Sequence, residues 1–187
     1  MLHFVQEVVE DMTRYSNPKS MFNEVLKLAY SYYPEVEIRD FDYAKLDRAS
    51  FLIRNIAKKL SDIYGPRSYS FDYYFVFKLN FSKEFLTAHV SAYGGKKINT
   101  YIVGWVIKTK HPVIRPEEHS LFIWVYDRVL RSIYKCYDCE EVKKVFKEVA
   151  DRENLKFIIE QDPRANNSIV YALELPVEAN VLEYNAI

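Results

Sequence analysis

The chain has 187 residues, 49% of them hydrophobic, with 26 Lys and Arg balanced by 26 Asp and Glu. That is enough apolar material for the core of one domain, which excludes a disordered chain, and a formal net charge of zero excludes a global field that would draw nucleic acid or an anionic membrane. No apolar run is long enough to cross a bilayer, and Gln6, Glu7, Glu10 and Asp11 interrupt the stretch where a signal peptide would need an apolar core, so a soluble, cytoplasmic protein with no membrane partner is expected.

The first third reads as helical. Phe4, Val5, Val8, Val9, Met12 and Tyr15 recur at helical spacing, as do Phe22, Val25, Leu26, Ala29, Tyr32 and Tyr33. The second set follows Asn17-Pro18, an N-cap residue and then a proline suited to the first helical position. A third stripe, Leu46, Ala49, Ile53, Ile56, Ala57, Leu60 and Ile63, stops at the breaker Gly65-Pro66. Arg54, Lys58 and Lys59 lie off that stripe and read as a solvated helix face.

The sheet comes next. From Tyr69 to Phe81 every odd position is large and apolar, while the even ones are mostly polar, so a long half-buried strand with one aromatic face is expected. Residues 85–93 and 96–109 flank Gly94-Gly95, which predicts a two-residue hairpin and, with the preceding strand, a three-stranded meander. Gly104, inside a strand pattern, points to a bulge or a close backbone approach. Pro116 with Glu117 and Glu118 predicts a helix reaching Lys135, although Leu121 to Tyr126 is apolar all round and is also compatible with a buried strand. Asp138 and Glu141 form a capping pattern ahead of Val142, Val145, Phe146 and Val149. Residues 157–161 and 168–175 predict a closing hairpin, and the tail from Pro176 is too apolar to be freely solvated.

The expected architecture is a single α+β domain over residues 1–187: a helical part at 1–64, then at 68–175 an antiparallel sheet of about five strands with a two-helix insertion packed on its aromatic face, then the tail 176–187. Scarce Gly and Gln give a thermophile-like composition, and 16 Tyr, stiff side chains with a polar tip, suit a surface where proteins meet.

Chemistry-bearing patterns are few. Cys136-Tyr137-Asp138-Cys139 has the spacing of a redox pair or half a zinc site, but His3, His89, His111 and His119 supply no second spaced pair and a helix rather than a strand precedes it. Inert thiols in an interhelix turn, or a structural disulfide between Cys136 and Cys139, are the readings kept. Asp72, Lys78, Glu84 and His89 can meet on the polar side of adjacent strands, where a carboxylate, lysine and histidine set would suit metal-dependent hydrolysis of nucleic acid. The same residues also suit a solvated sheet face. Lys96, Lys97, Lys108, Lys110, His111 and Arg115 could contact phosphates, though they divide between opposite ends of one strand. There is no Walker loop, Rossmann glycine pattern, nucleophile elbow or His-Glu-x-x-His, so no cofactor and no metal is expected. The function expected is that of a non-catalytic interaction or complex-subunit protein, partnered by itself or another protein, with Val177, Val181, Leu182 and Tyr184 of the tail at the interface. The alternative is a nucleic-acid-binding or nucleic-acid-processing protein using the polar sheet face.

Overall fold

Strands and helices follow one another in an order that puts the aromatic strand at the middle of the sheet. The computed structural model describes residues 8–10, 13–95 and 97–184. In chain order the elements are β1 (Val8–Glu10), β2 (Arg14–Tyr15), α1 (Pro18–Tyr32), β3 (Val36–Arg39), α2 (Ala44–Tyr64), β4 (Tyr69–Lys78), β5 (Phe85–Gly94), β6 (Ile98–Thr109), β7 (Ser120–Tyr126), α3 (Asp127–Tyr134), α4 (Glu140–Glu153), β8 (Lys156–Asp162), a 3-10 turn at Pro163–Ala165, β9 (Ser168–Pro176) and β10 (Asn180–Glu183). Seven strands form an antiparallel sheet in the order β1-β6-β5-β4-β7-β9-β8, β2 also pairs with β6, and β10 pairs with β3 in a separate two-stranded ribbon. The α+β class is as expected; the sheet is larger than the five strands expected.

Alternation along β4 sorts its side chains as the sequence implies. Tyr69, Phe71, Tyr73, Phe75 and Phe77 point to one face, where they pack with Met21 and Phe22 of α1, Leu52 and Ile56 of α2, Leu130 of α3 and Phe146 of α4 in one core. Each such side chain contributes about 1.5–3 kcal/mol by leaving water. The strand ends at Lys78 rather than Phe81: the Leu79 amide donates to the Glu84 carbonyl across a turn, and Phe81 is 61% exposed. The opposite face is not a polar surface. Tyr74 and Val76 are fully buried there with Phe85, Phe122, Trp124, Val170 and Ala172, and Val113 and Ile114 from the β6–β7 connection pack on them. A covered second face needs apolar residues at even positions too, and Tyr74 and Val76 supply them.

Several local expectations are met. The Asn17 side chain accepts from the Lys19 amide at 2.8 Å and the Ser20 amide at 3.3 Å, with Pro18 opening α1, and α2 stops at Gly65. β4, β5 and β6 form the meander, and β8 and β9 the closing hairpin. Gly104 sits at a bulge: His89 pairs with Trp105 and Val90 with Val103, leaving Gly104 over.

Four expectations are corrected. The stripe beginning at Phe4 is not a helix where it is described: Val8–Glu10 and Arg14–Tyr15 are strands on β6, because pairing with an open sheet edge outweighs a short helical pattern, while Phe4, Val5 and Met12 lie outside the described residues. The helix expected from Pro116 begins only at Asp127; Leu121 to Tyr126 is the strand β7, apolar all round because both its faces are covered. The hairpin link is longer than Gly94-Gly95, since Gly94 pairs with Ile98 and a Cβ at position 94 would collide with the Lys97 carbonyl. Finally, α4 has no capping box: its N-cap is Cys139, and Asp138 Oδ1 accepts from the Glu140 amide at 3.3 Å.

Candidate functional site

The outward side of α2 carries more than charge. Phe51, Arg54, Asn55, Lys58 and Ser61 recur at one-turn spacing on the flank away from the core. Across from them stand Pro66, Arg67 and Ser68, which lead from the breaker into β4, and Gly95 at the β5–β6 turn. Together they line a groove of about 1010 Å³, with Ala57 in its floor. Phe51 is half exposed. No carboxylate lines the groove among the described residues, and none of Arg54, Lys58 and Arg67 forms an ion pair among them. Lys59, one position on, faces the other way and pairs with Glu148 of α4 at 3.6 Å. Burial raises the Tyr69 hydroxyl to a pKa of about 12, with the nearby Arg54 charge opposing the shift. The arrangement is an apolar floor with a cationic rim, suited to an anionic ligand that also carries an apolar group.

On the far side of the sheet, Asp72, His89 and Ser91 come together with Trp105, Trp124 and Tyr126. His89 Nε2 lies 3.3 Å from Asp72 Oδ1, and the Ser91 hydroxyl donates to the same oxygen at 2.9 Å. Ser91 thus donates its hydrogen bond to the carboxylate rather than to the imidazole, so the serine–histidine–carboxylate relay of a nucleophilic triad is not assembled. Gly104 makes room for the histidine: a Cβ there would meet His89 Nδ1 at 3.0 Å. The His89 ring stacks on Trp105 with centroids 5.3 Å apart, and the Arg164 guanidinium lies 5.4 Å from the same indole. Tyr126 donates to Asp162 Oδ2 at 2.7 Å; burial first and that bond second push its pKa far above the phenol value. Asp72 and His89 are therefore brought together as the sequence suggested.

Lys78 and Glu84 are not part of that trio. Lys78 Nζ donates to the Glu117 carbonyl at 2.7 Å, and Glu84 faces Lys108. Among the described residues no group of three or more His, Cys, Asp or Glu side chains is placed to hold a metal ion.

Among the described residues, the basic strand-end side chains do not gather into one rim. Lys108 is enclosed by carboxylates, Glu183 at 3.4 Å and Glu35 and Glu84 at 4.0 Å, which leaves it no free face for a phosphate. Arg115 lies over the Phe85 ring at 5.1 Å, Lys97 and Lys110 are exposed, and Lys96 lies outside the described residues. The tail is likewise mostly internal: Val177 is buried, Val181 packs against the core, and β10 pairs with β3, leaving Tyr184 as the exposed apolar residue of the four expected at an interface, with Leu182 half-buried.

Cys136 and Cys139 are joined by a disulfide. It closes the turn between α3 and α4, where Lys135 and Cys139 both take left-handed backbone conformations. Cys139 is buried, whereas Tyr137 at the apex is 95% exposed.

Sequence reasoning did not single out Phe51, Asn55, Ser61, Arg67, Ser68 or Tyr137. Phe51 did leave a trace, as a large apolar residue off the apolar stripe of α2. Arg67 and Ser68 reach the groove only through the turn after Gly65, which no spacing rule foresees.

Comparison with protein-family models, with curated proteins and with solved structures returns no match, so the site is read from its own chemistry.

Proposed function

We propose that this is a non-catalytic interaction protein whose working surface is the α2 groove, and that the groove receives an acidic segment of polypeptide with an aromatic or aliphatic anchor. The observation that carries this is the groove itself: Phe51, Ala57 and Pro66 offer an apolar floor, and Arg54, Lys58 and Arg67 stand over it without carboxylate partners among the described residues. An apolar centre bounded by charges that steer and register the partner is the usual anatomy of a protein contact. The Asp72–His89–Ser91 trio is compatible with the same reading, since the Ser91 hydroxyl donates to Asp72 and not to His89, so the serine–imidazole hydrogen bond of a nucleophilic triad is not formed.

Single-stranded nucleic acid is the second reading, and it now attaches to the groove instead of the sheet face, because Phe51 could stack a base while the cations meet phosphates. Three cations on a protein of zero net charge give few phosphate contacts, so that affinity is low and falls steeply with salt.

The test is a titration of the protein with a fluorescent peptide alternating Glu or Asp with Phe, beside a labelled oligothymidine of similar length. Saturable peptide binding that is lost in Arg54→Glu/Lys58→Glu, with weak oligonucleotide binding, is the expected result. Tighter oligonucleotide binding that the same substitutions abolish would replace this reading with the second, and no binding of either by the monomeric protein would remove both.

A further inference from the structure

Resting on the reading of the α2 groove as a docking surface, we infer that its occupant is a second copy of this chain: the turn Cys136–Cys139 of each copy, led by Tyr137, enters the Phe51–Ala57–Pro66 floor of the other.

The turn has the chemistry that the groove lacks. Tyr137 is 95% exposed, and residues 136–141 carry three carboxylates, Asp138, Glu140 and Glu141, and no cation. Lys143 and Lys144 reach back to Glu140 and Glu141 at 3.1 and 3.4 Å, but these are exposed pairs on the helix surface and hold their partners weakly. Asp138 has no ion pair among the described residues. Lys135 stands just before the turn, on the side of α3.

The turn is also rigid. Its disulfide, the burial of Cys139 and the packing of Cys136 against the core fix the backbone on both sides of Tyr137. An aromatic side chain presented on a fixed turn loses little conformational freedom on docking, which is what makes tyrosine effective at the centre of interfaces. A groove of about 1010 Å³ accommodates that ring with the backbone on either side.

Placement makes the exchange reciprocal. α4 runs antiparallel to α2, as the pairs Lys59–Glu148 and Arg48–Glu153 show, and Tyr64 at the end of α2 contacts the Tyr134 ring at 5.2 Å. Asp138 and Glu141 are close enough to Tyr64 to reinforce the upward shift that burial gives its hydroxyl. The turn therefore lies beside the end of the groove formed by Ser61, Pro66 and Arg67. With donor and acceptor surfaces adjoining on one side of the molecule, a single two-fold axis between them satisfies both exchanges and closes the assembly as a dimer.

Sedimentation of the full chain over the micromolar range tests this with three samples besides the wild type: Tyr137→Ala, Arg54→Glu/Lys58→Glu, and an equimolar mixture of the two. A wild-type dimer is expected, weakened by about tenfold or more in either variant. The mixture should associate more tightly than either variant alone, because the heterodimer keeps one of its two exchanges intact. Thermal melts check that the variants fold, and Lys58→Glu/Arg67→Glu serves if Arg54→Glu does not. A monomeric wild type, a dimer indifferent to both variants, or a mixture behaving like its components overturns the inference. Titration with the acidic Phe-bearing peptide separates the two levels of failure: peptide binding by a monomeric protein overturns self-pairing and keeps the groove, while no binding removes the groove as well.

Discussion

Ser50 meets two tyrosine hydroxyls at once. Its Oγ is hydrogen-bonded to Tyr73 at 2.9 Å and to Tyr101 at 2.7 Å, so one small residue of α2 satisfies polar tips on both β4 and β6 deep in the core. Both rings are almost completely buried, and burial drives the Tyr73 pKa well above its ordinary value. Abundant tyrosine therefore has an internal use here beside any role at a surface: the body of the ring fills the core and its hydroxyl ties helix to sheet. Replacing Ser50 with Ala removes no volume of consequence but strips two buried hydroxyls of a partner, at an expected cost of about 1–3 kcal/mol in denaturant unfolding. A loss below about 0.5 kcal/mol would mean that the two tyrosines satisfy each other.

At the level of elements, the bulge in β6 has a sequence cause that can be checked. Gly104 lies against His89, and Ala there would press on both the imidazole and the His89 carbonyl at 3.1 Å, so Gly104→Ala should destabilise by about 1–3 kcal/mol and alter Trp105 fluorescence. Gly95→Ala is the control, since a Cβ at that position meets nothing within 4 Å and only a small change is expected. The role of Gly104 was legible from its place in a strand pattern, as were α1 from Asn17-Pro18 and α2 from its stripe and its stop. Elements set by distant partners were not. β7 reads as helix or strand because burial on both faces erases its period, and only the pairing with β4 and β9 decides it. The strand at Val8–Glu10 follows from the free edge of β6, and β3 is four residues long, too short for a pattern. The two sides of the groove come from segments whose meeting is tertiary, so Arg54 and Lys58 were visible as an exposed face but not as one wall of a cleft.

On the scale of the whole molecule, the ribbon of β3 and β10 is paired separately from the sheet and is held to it both by apolar packing of Val36, Ile38 and Val177 and by a cluster of charges. Glu183 accepts the Phe81 and Ser82 amides at 2.8 Å and faces Lys108, which Glu35 and Glu84 also approach. Burial alone would raise the Glu183 carboxyl, but the hydrogen bonds from Ser82 and Phe81, together with Lys108, bring it below the ordinary range. A carboxylate depressed in the folded state stabilises fully above its unfolded pKa and loses that contribution as pH falls through the folded value. Amides of β3 and β10 should therefore exchange with deuterium before those of β4, β5 and β7, and the gap should widen as the solution is acidified below the carboxylate range. Equal protection of ribbon and sheet at low pH would show that the apolar packing of Val36, Ile38 and Val177 holds the tail without the charged cluster. The pairing Val36↔Glu183 spans most of the chain, and nothing local helps those strands find each other. Loop entropy makes so distant a closure only modestly costly, about 0.6 kcal/mol per doubling of length, but contacts this remote in sequence form slowly and late. The topology thus orders folding in time: the meander β4–β5–β6 assembles from neighbours, and the ribbon latches afterwards onto a sheet already in place.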